Sequence, residues 1–96
     1  MGAGISRFNL GRYEEAVTAL SEAPEFIERH LYTAAAQAHL GNQDAAADAT
    51  ERLLRLKADF NLATYVMARA IHLPEVRTRL WSGAERAGVP LRPPAN

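Results

Sequence analysis

The sequence predicts an all-α fold, built from about six helices arranged as an array of helix–turn–helix repeats. Three observations point to it. No segment alternates apolar and polar residues as a half-buried strand would, and alanine is abundant throughout. Apolar residues recur instead at helical spacing. Finally, Leu10-Gly11-Arg12-Tyr13-Glu14-Glu15-Ala16 returns as Leu40-Gly41-Asn42-Gln43-Asp44-Ala45-Ala46, a leucine–glycine pair followed by polar positions and then alanine. Self-similarity of this kind marks units that bury their apolar faces by stacking on one another.

The elements follow in order. A first helix over 2–10 carries Ile5, Phe8 and Leu10 and stops at Gly11, because glycine accepts the left-handed conformation that ends a helix. A second, over 12–23, places Tyr13, Ala16, Val17 and Leu20 on one face. Pro24 is placed to start a third over 25–40, with Ile27, Leu31, Ala34 and Ala38 aligned and Gly41 at its end. The fourth, over 43–57, aligns Ala46, Thr50, Leu53 and Leu54, supported by Asp48–Arg52 and Glu51–Arg55 at the favourable spacing of four. The fifth, over 60–72, has Asp59 as its cap and is apolar nearly all round, so it is expected to lie between neighbours. The sixth, over 74–87, starts at Pro74, aligns Val76, Leu80, Ala84 and Ala87, and ends at Gly88. Short turns make successive helices antiparallel neighbours. The repeat domain therefore covers 1–88, in units of about 2–23, 25–57 and 60–87, and the proline-rich tail 89–96 is expected to be extended or disordered.

Composition narrows the function. The 96 residues suit one small domain, and 48% hydrophobic with 23% charged is ordinary for a soluble globule. Without cysteine there are no disulfides or thiolate metal sites. Eleven basic residues balance eleven acidic ones, which argues against a nucleic-acid partner, since phosphate binding needs clustered positive charge. Arg77, Arg79, Arg86 and Arg92 gather near the C-terminus, and read as a solvated helix face. No apolar run approaches the ~20 residues that span a membrane. No signal segment opens the chain, so a cytoplasmic location with no membrane partner is expected.

The glycine turn followed by alanine resembles the tetratricopeptide repeat, whose two helices cross at small residues. Position by position, the small residue of the first helix falls at Gly4, Ala34 and Ala68. That of the second helix falls at Ala16 and Ala46 but at Leu80 in the third unit, and its later small residue at Ala23 and Ala87 but at Leu53 in the second. The pattern departs from the family where Pro24 shortens the first unit, where Ala58 replaces the closing proline, and where Pro74 stands in place of a glycine turn. The resemblance implies right-handed superhelical stacking, a last helix pair acting as a cap, and a scaffold that binds proteins. A narrower resemblance rests on Pro24-Glu25-Phe26-Ile27-Glu28-Arg29-His30-Leu31-Tyr32, Asp59-Phe60-Asn61-Leu62-Ala63, Leu73-Pro74-Glu75 and Ala87-Gly88-Val89-Pro90. These look like the C-terminal repeats of bacterial adenylate/guanylate cyclase-like and transcription-regulating proteins. They imply, as the alternative, the regulatory or dimerising tail of such a parent.

Catalytic and metal chemistry find no footing. His30 and His39 are nine apart, on opposite faces of one helix, and His72 lies on another. Adjacent Glu14 and Glu15 point about 100° apart and cannot act as an acid–base pair. Serines 6, 21 and 82 have no histidine at a suggestive spacing. No cofactor, metal or enzymatic activity is expected. Trp81 reads as packing or a protein contact.

The resemblance implies that first-helix residues line a concave face, here Leu31, Ala35, Ala38 and His39 with Tyr65, Arg69 and His72. That lining is fairly apolar and suits an amphipathic helix or a hydrophobic peptide of a partner protein. Family members that clamp acidic C-terminal peptides use lysine and asparagine at positions matched here by Glu28, Leu31, Tyr32 and Ala35, which cannot hold a carboxylate that way. The first helix has no unit before it. Ile5, Phe8 and Leu10 are therefore expected to lie open, with parts of Val17 and Leu20, and to support a homodimer.

Overall fold

Three glycines set the helix ends. Gly11, Gly41 and Gly88 take φ of 79°, 82° and 88°, the left-handed region where a side chain is strained. Each closes the same turn. Gly11 N–H donates to the Phe8 carbonyl and Arg12 N–H to that of Arg7. Gly41 and Asn42 repeat this on Ala38 and Gln37, and Gly88 and Val89 on Glu85 and Ala84. These are Schellman motifs, which satisfy the last carbonyls of a helix. The next N–H bonds also recur thirty residues apart, Ala16 to Arg12 and Ala46 to Asn42.

The computed structural model describes residues 2–68 and 74–92. Within them the chain is all-helical: α1 (Gly2–Asn9), α2 (Tyr13–Ser21), α3 (Ile27–His39), α4 (Gln43–Leu56), α5 (Leu62–Ala68) and α6 (Pro74–Ala87). No strand occurs among the described residues. Pro24 stands three residues ahead of α3, in a connection held by Arg29 Nη1 donating to the Ala23 carbonyl at 2.8 Å. The α4 ion pairs form, Arg52 with Asp48 and Arg55 with Glu51. Both are exposed, so each supports the helix by only about 0.3–0.5 kcal/mol. The cap of α5 differs from expectation. Asn61 Oδ1 accepts the Thr64 N–H at 3.0 Å, while Asp59 pairs with Lys57 in solvent.

Small residues govern the packing of the first four helices. A Cβ added to Gly4 would lie 2.6 Å from Leu20 Cγ, so α1 and α2 touch there. Ala16, Ala34 and Ala46 have no exposed surface. Phe8 joins the two helix pairs: it meets Tyr13 and Tyr32 edge-on, with centroids 5.5 and 5.1 Å apart, while Tyr13 stacks on His39 at 4.5 Å.

The third pair departs from the repeat. The helix enclosed by neighbours is α3, flanked by α2, α4 and α6, with His30, Leu31, Tyr32, Ala34, Ala35, Ala36 and Ala38 buried. Its alanines let helices approach from several sides, which larger side chains would prevent. α5, the described helical part of the apolar 60–72 segment expected in that role, lies at the margin. Among the described residues of α5 only Leu62 is buried; Ala68 is exposed, and Met67 is 81% exposed. The close contact belongs to α6 instead, where a Cβ on Gly83 would come within 2.7 Å of the Ala35 carbonyl oxygen.

The start of the tail is ordered. Val89 is buried, and the Pro90 and Leu91 carbonyls accept the Leu62 and Ala63 N–H groups at 2.9 and 2.8 Å. The last three tail residues and Pro93 lie outside the described residues. The radius of gyration, 12.0 Å, is close to the ~12.5 Å expected of a globule of this length.

Candidate functional site

The face proposed for ligand binding is built on α3, and α6 lies on it. His39 Nε2 is 2.8 Å from the Arg79 carbonyl, so that nitrogen carries the proton and donates it. One turn earlier on α3, Ala35 meets Gly83. The pairs 39–79 and 35–83 run in opposite senses, so α6 is antiparallel to α3. Two more contacts come from α4: Thr50 Oγ1 donates to the Ala87 carbonyl at 3.0 Å, and Gln43 Nε2 donates to the Arg86 carbonyl. Arg79 reaches the other way, donating to the Asn9 carbonyl at the end of α1.

This corrects the expected open lining. Leu31 and Ala35 are fully buried and Ala38 is 5% exposed. His39 is half-buried between Tyr13 and α6. Tyr65 lies apart from them on α5, with its ring 5.8 Å from that of Phe60. Arg69 and His72 lie outside the described residues. The five described residues therefore do not form one accessible surface. Their helical register was legible, but the helix covering them was not.

The expected self-association patch is not assembled either. Phe8 has no exposed surface, Leu20 is equally buried, and Ile5 and Val17 are half-buried against the core. Leu10 is 64% exposed, and a single exposed leucine is ordinary. Phe8 was missed because helical spacing alone does not show that Tyr13, Tyr32 and His39 enclose it.

Two open clefts flank α5. One, of about 470 Å³, lies between α5 and the start of α3, and includes Ile27, Glu28, Phe60 and Tyr65. The other, of about 570 Å³, lies between α5 and α6, and includes Val66, Met67, Arg77 and Trp81. Trp81 is half-buried, and the Arg92 guanidinium sits 5.6 Å from its ring centroid. Arg77, Arg86 and Arg92 are exposed, in keeping with the solvated face read from the sequence, while half-buried Arg79 is engaged within the fold. Both clefts offer apolar surface edged by charge.

Titratable groups elsewhere are dispersed. His30 is 4% exposed, and burial pushes its pKa below the usual histidine value. The charge of Arg29 pushes the same way, against the pull of Glu25, whose Oε1 is 3.7 Å from Nε2. Among the described residues no three His, Asp or Glu side chains are grouped to hold a metal ion, and no helix is long and apolar enough to cross a membrane. No protein-family model, curated protein or solved structure matches the chain.

Proposed function

We propose that the chain is a protein–protein interaction module of the tetratricopeptide type, a non-catalytic scaffold that takes an amphipathic helical segment of a partner on the inner face of its repeats. One observation carries this reading: the α3 face packs an amphipathic helix, α6, so closely that a Cβ on Gly83 would fall 2.7 Å from the Ala35 carbonyl oxygen. Exposed Met67 and half-buried Trp81 line a separate cleft between α5 and α6 and offer further apolar surface there.

The test is site-specific photo-crosslinking in the host cell. A photoreactive residue at Met67 is expected to give a discrete protein adduct that excess unlabelled chain suppresses. The same group at Ala47, exposed on α4, is expected to give none. Matching adduct patterns from both positions, or none from either, would count against the reading.

A further inference from the structure

We propose that the cleft between α5 and α6 is a self-association surface: it takes the same face of a second copy of this chain, with the two α6 helices antiparallel about a two-fold axis at Trp81. This goes beyond the interaction-module reading and does not depend on it. Arg77, Thr78, Trp81, Ser82 and Glu85 of α6 line the cleft, with Met67 of α5 across from them. Met67 is 81% exposed and Trp81 is half-buried, so the cleft presents apolar surface to be covered. The opposite side of α6 is fixed in the core by Leu80, Gly83, Ala84 and Ala87. The helix is therefore held in place to present this face.

The charge pattern names the occupant. Arg77 and Glu85 are exposed, opposite in sign, and each four residues from Trp81. At 1.5 Å per residue, each stands about 6 Å along the helix from Trp81. A two-fold axis at Trp81 sets Arg77 opposite the partner's Glu85, and Glu85 opposite the partner's Arg77. A parallel pairing in register would instead set arginine against arginine and glutamate against glutamate. The face is thus complementary to itself when antiparallel and repulsive when parallel. Thr78 and Ser82 lie beside Trp81 with short side chains, which lets two helices approach to ~8–10 Å. Exposed ion pairs add little affinity, so the crossed pairs set the register, and covering Trp81 and Met67 supplies the attraction. Arg92, 5.6 Å from the Trp81 ring centroid, leaves each face with one cation in excess, which keeps the association weak and reversible.

The experiment is sedimentation equilibrium on the full chain, from about 5 to about 500 μM, the range in which small, transient interfaces form. The wild type is expected to show a reversible monomer–dimer equilibrium within it. Arg77→Glu and Glu85→Arg each set like charges across both contacts, and each is expected to weaken the dimer at least ~10-fold, equivalent to about 1.4 kcal/mol. The double variant, Arg77→Glu with Glu85→Arg, restores opposite signs across an antiparallel pair and is expected to return to within ~3-fold of the wild type. Both positions are exposed, so far-ultraviolet circular dichroism is expected to show the helix content unchanged in all three variants. A chain that stays monomeric throughout would overturn the proposal. So would a dimer that the single reversals leave intact, or one that the double variant fails to restore. A monomer that still gives the Met67 adduct with another protein would remove self-association and leave the interaction reading standing.

Discussion

Replacing Gly83 by alanine sets two effects of known sign against each other. Alanine is the better helix former, and the change favours an exposed helix by about 1 kcal/mol. At Gly83 the new methyl group meets three atoms of Ala35 at 2.7–2.9 Å, two of them backbone, which cannot rotate away. Restoring ordinary contact requires α3 and α6 to separate by several tenths of an ångström. Overpacking of this kind costs about 1–3 kcal/mol, and here it also stretches the bonds from His39 and Thr50. The steric term wins, for a net loss of up to about 2 kcal/mol. In a domain of this size that lowers Tm by up to roughly 16 °C. The assay is thermal unfolding followed by far-ultraviolet circular dichroism. Gly41→Asn is the control: nothing lies within 4 Å of a Cβ there, and asparagine tolerates the φ of 82°. Its Tm is expected to fall by less than that of Gly83→Ala. A Gly83→Ala chain melting at or above the wild type would show that helix propensity had prevailed and that the α3–α6 approach is not close.

Other outcomes follow from burial. Ala46→Leu, at a fully buried crossing, is expected to cost about 1–3 kcal/mol in urea unfolding, whereas Ala47→Leu, exposed on the same helix, stays within roughly 0.5 kcal/mol. Phe8→Ala empties the site enclosed by Tyr13, Tyr32 and His39 and is expected to cost about 3–5 kcal/mol, read from the same titration. For His30 the folded pKa lies below the unfolded one, so the unfolded chain binds the extra proton as pH falls. Its contribution is present above the unfolded value of about 6.5 and is lost as pH falls through the folded value. The urea midpoint of the wild type is expected to drop more between pH 7.5 and pH 5 than that of His30→Gln; parallel curves would refute this.

Much of the fold is legible because it is local. A glycine that ends a helix acts through its own φ, so Gly11, Gly41 and Gly88 announce themselves. Periodicity shows which side of a helix is apolar, and Ala16 and Ala46 take their buried places accordingly. It does not show which helix arrives. The apolar 60–72 segment suggested enclosure, yet the alanines of α3 matter more, because small residues allow more neighbours. One signal did point to α6: Gly83 inside a helical pattern costs about 1 kcal/mol relative to alanine, which calls for a packing reason. Thr50 is a second, as a hydroxyl within an apolar stripe, and its place 3.0 Å from both the Ala46 and the Ala87 carbonyls, which share its one proton, accounts for it. The candidate site was legible in register at Ala35 and His39, but its occupant was not, because the contact joins residues about forty apart in sequence.

That separation has a consequence for the order of events at the ribosome. α1 to α4 pack against helices next to them in the chain, whereas α3 is completed only by α6. At roughly 5–20 residues per second, Ala87 is added about 2–10 s after His39. In that interval Ala35 and His39 lack the contacts that Gly83 and Arg79 later supply, while α2 and α4 already pack on other sides of α3. The contact between α3 and α6 is therefore among the last to form as the chain is made.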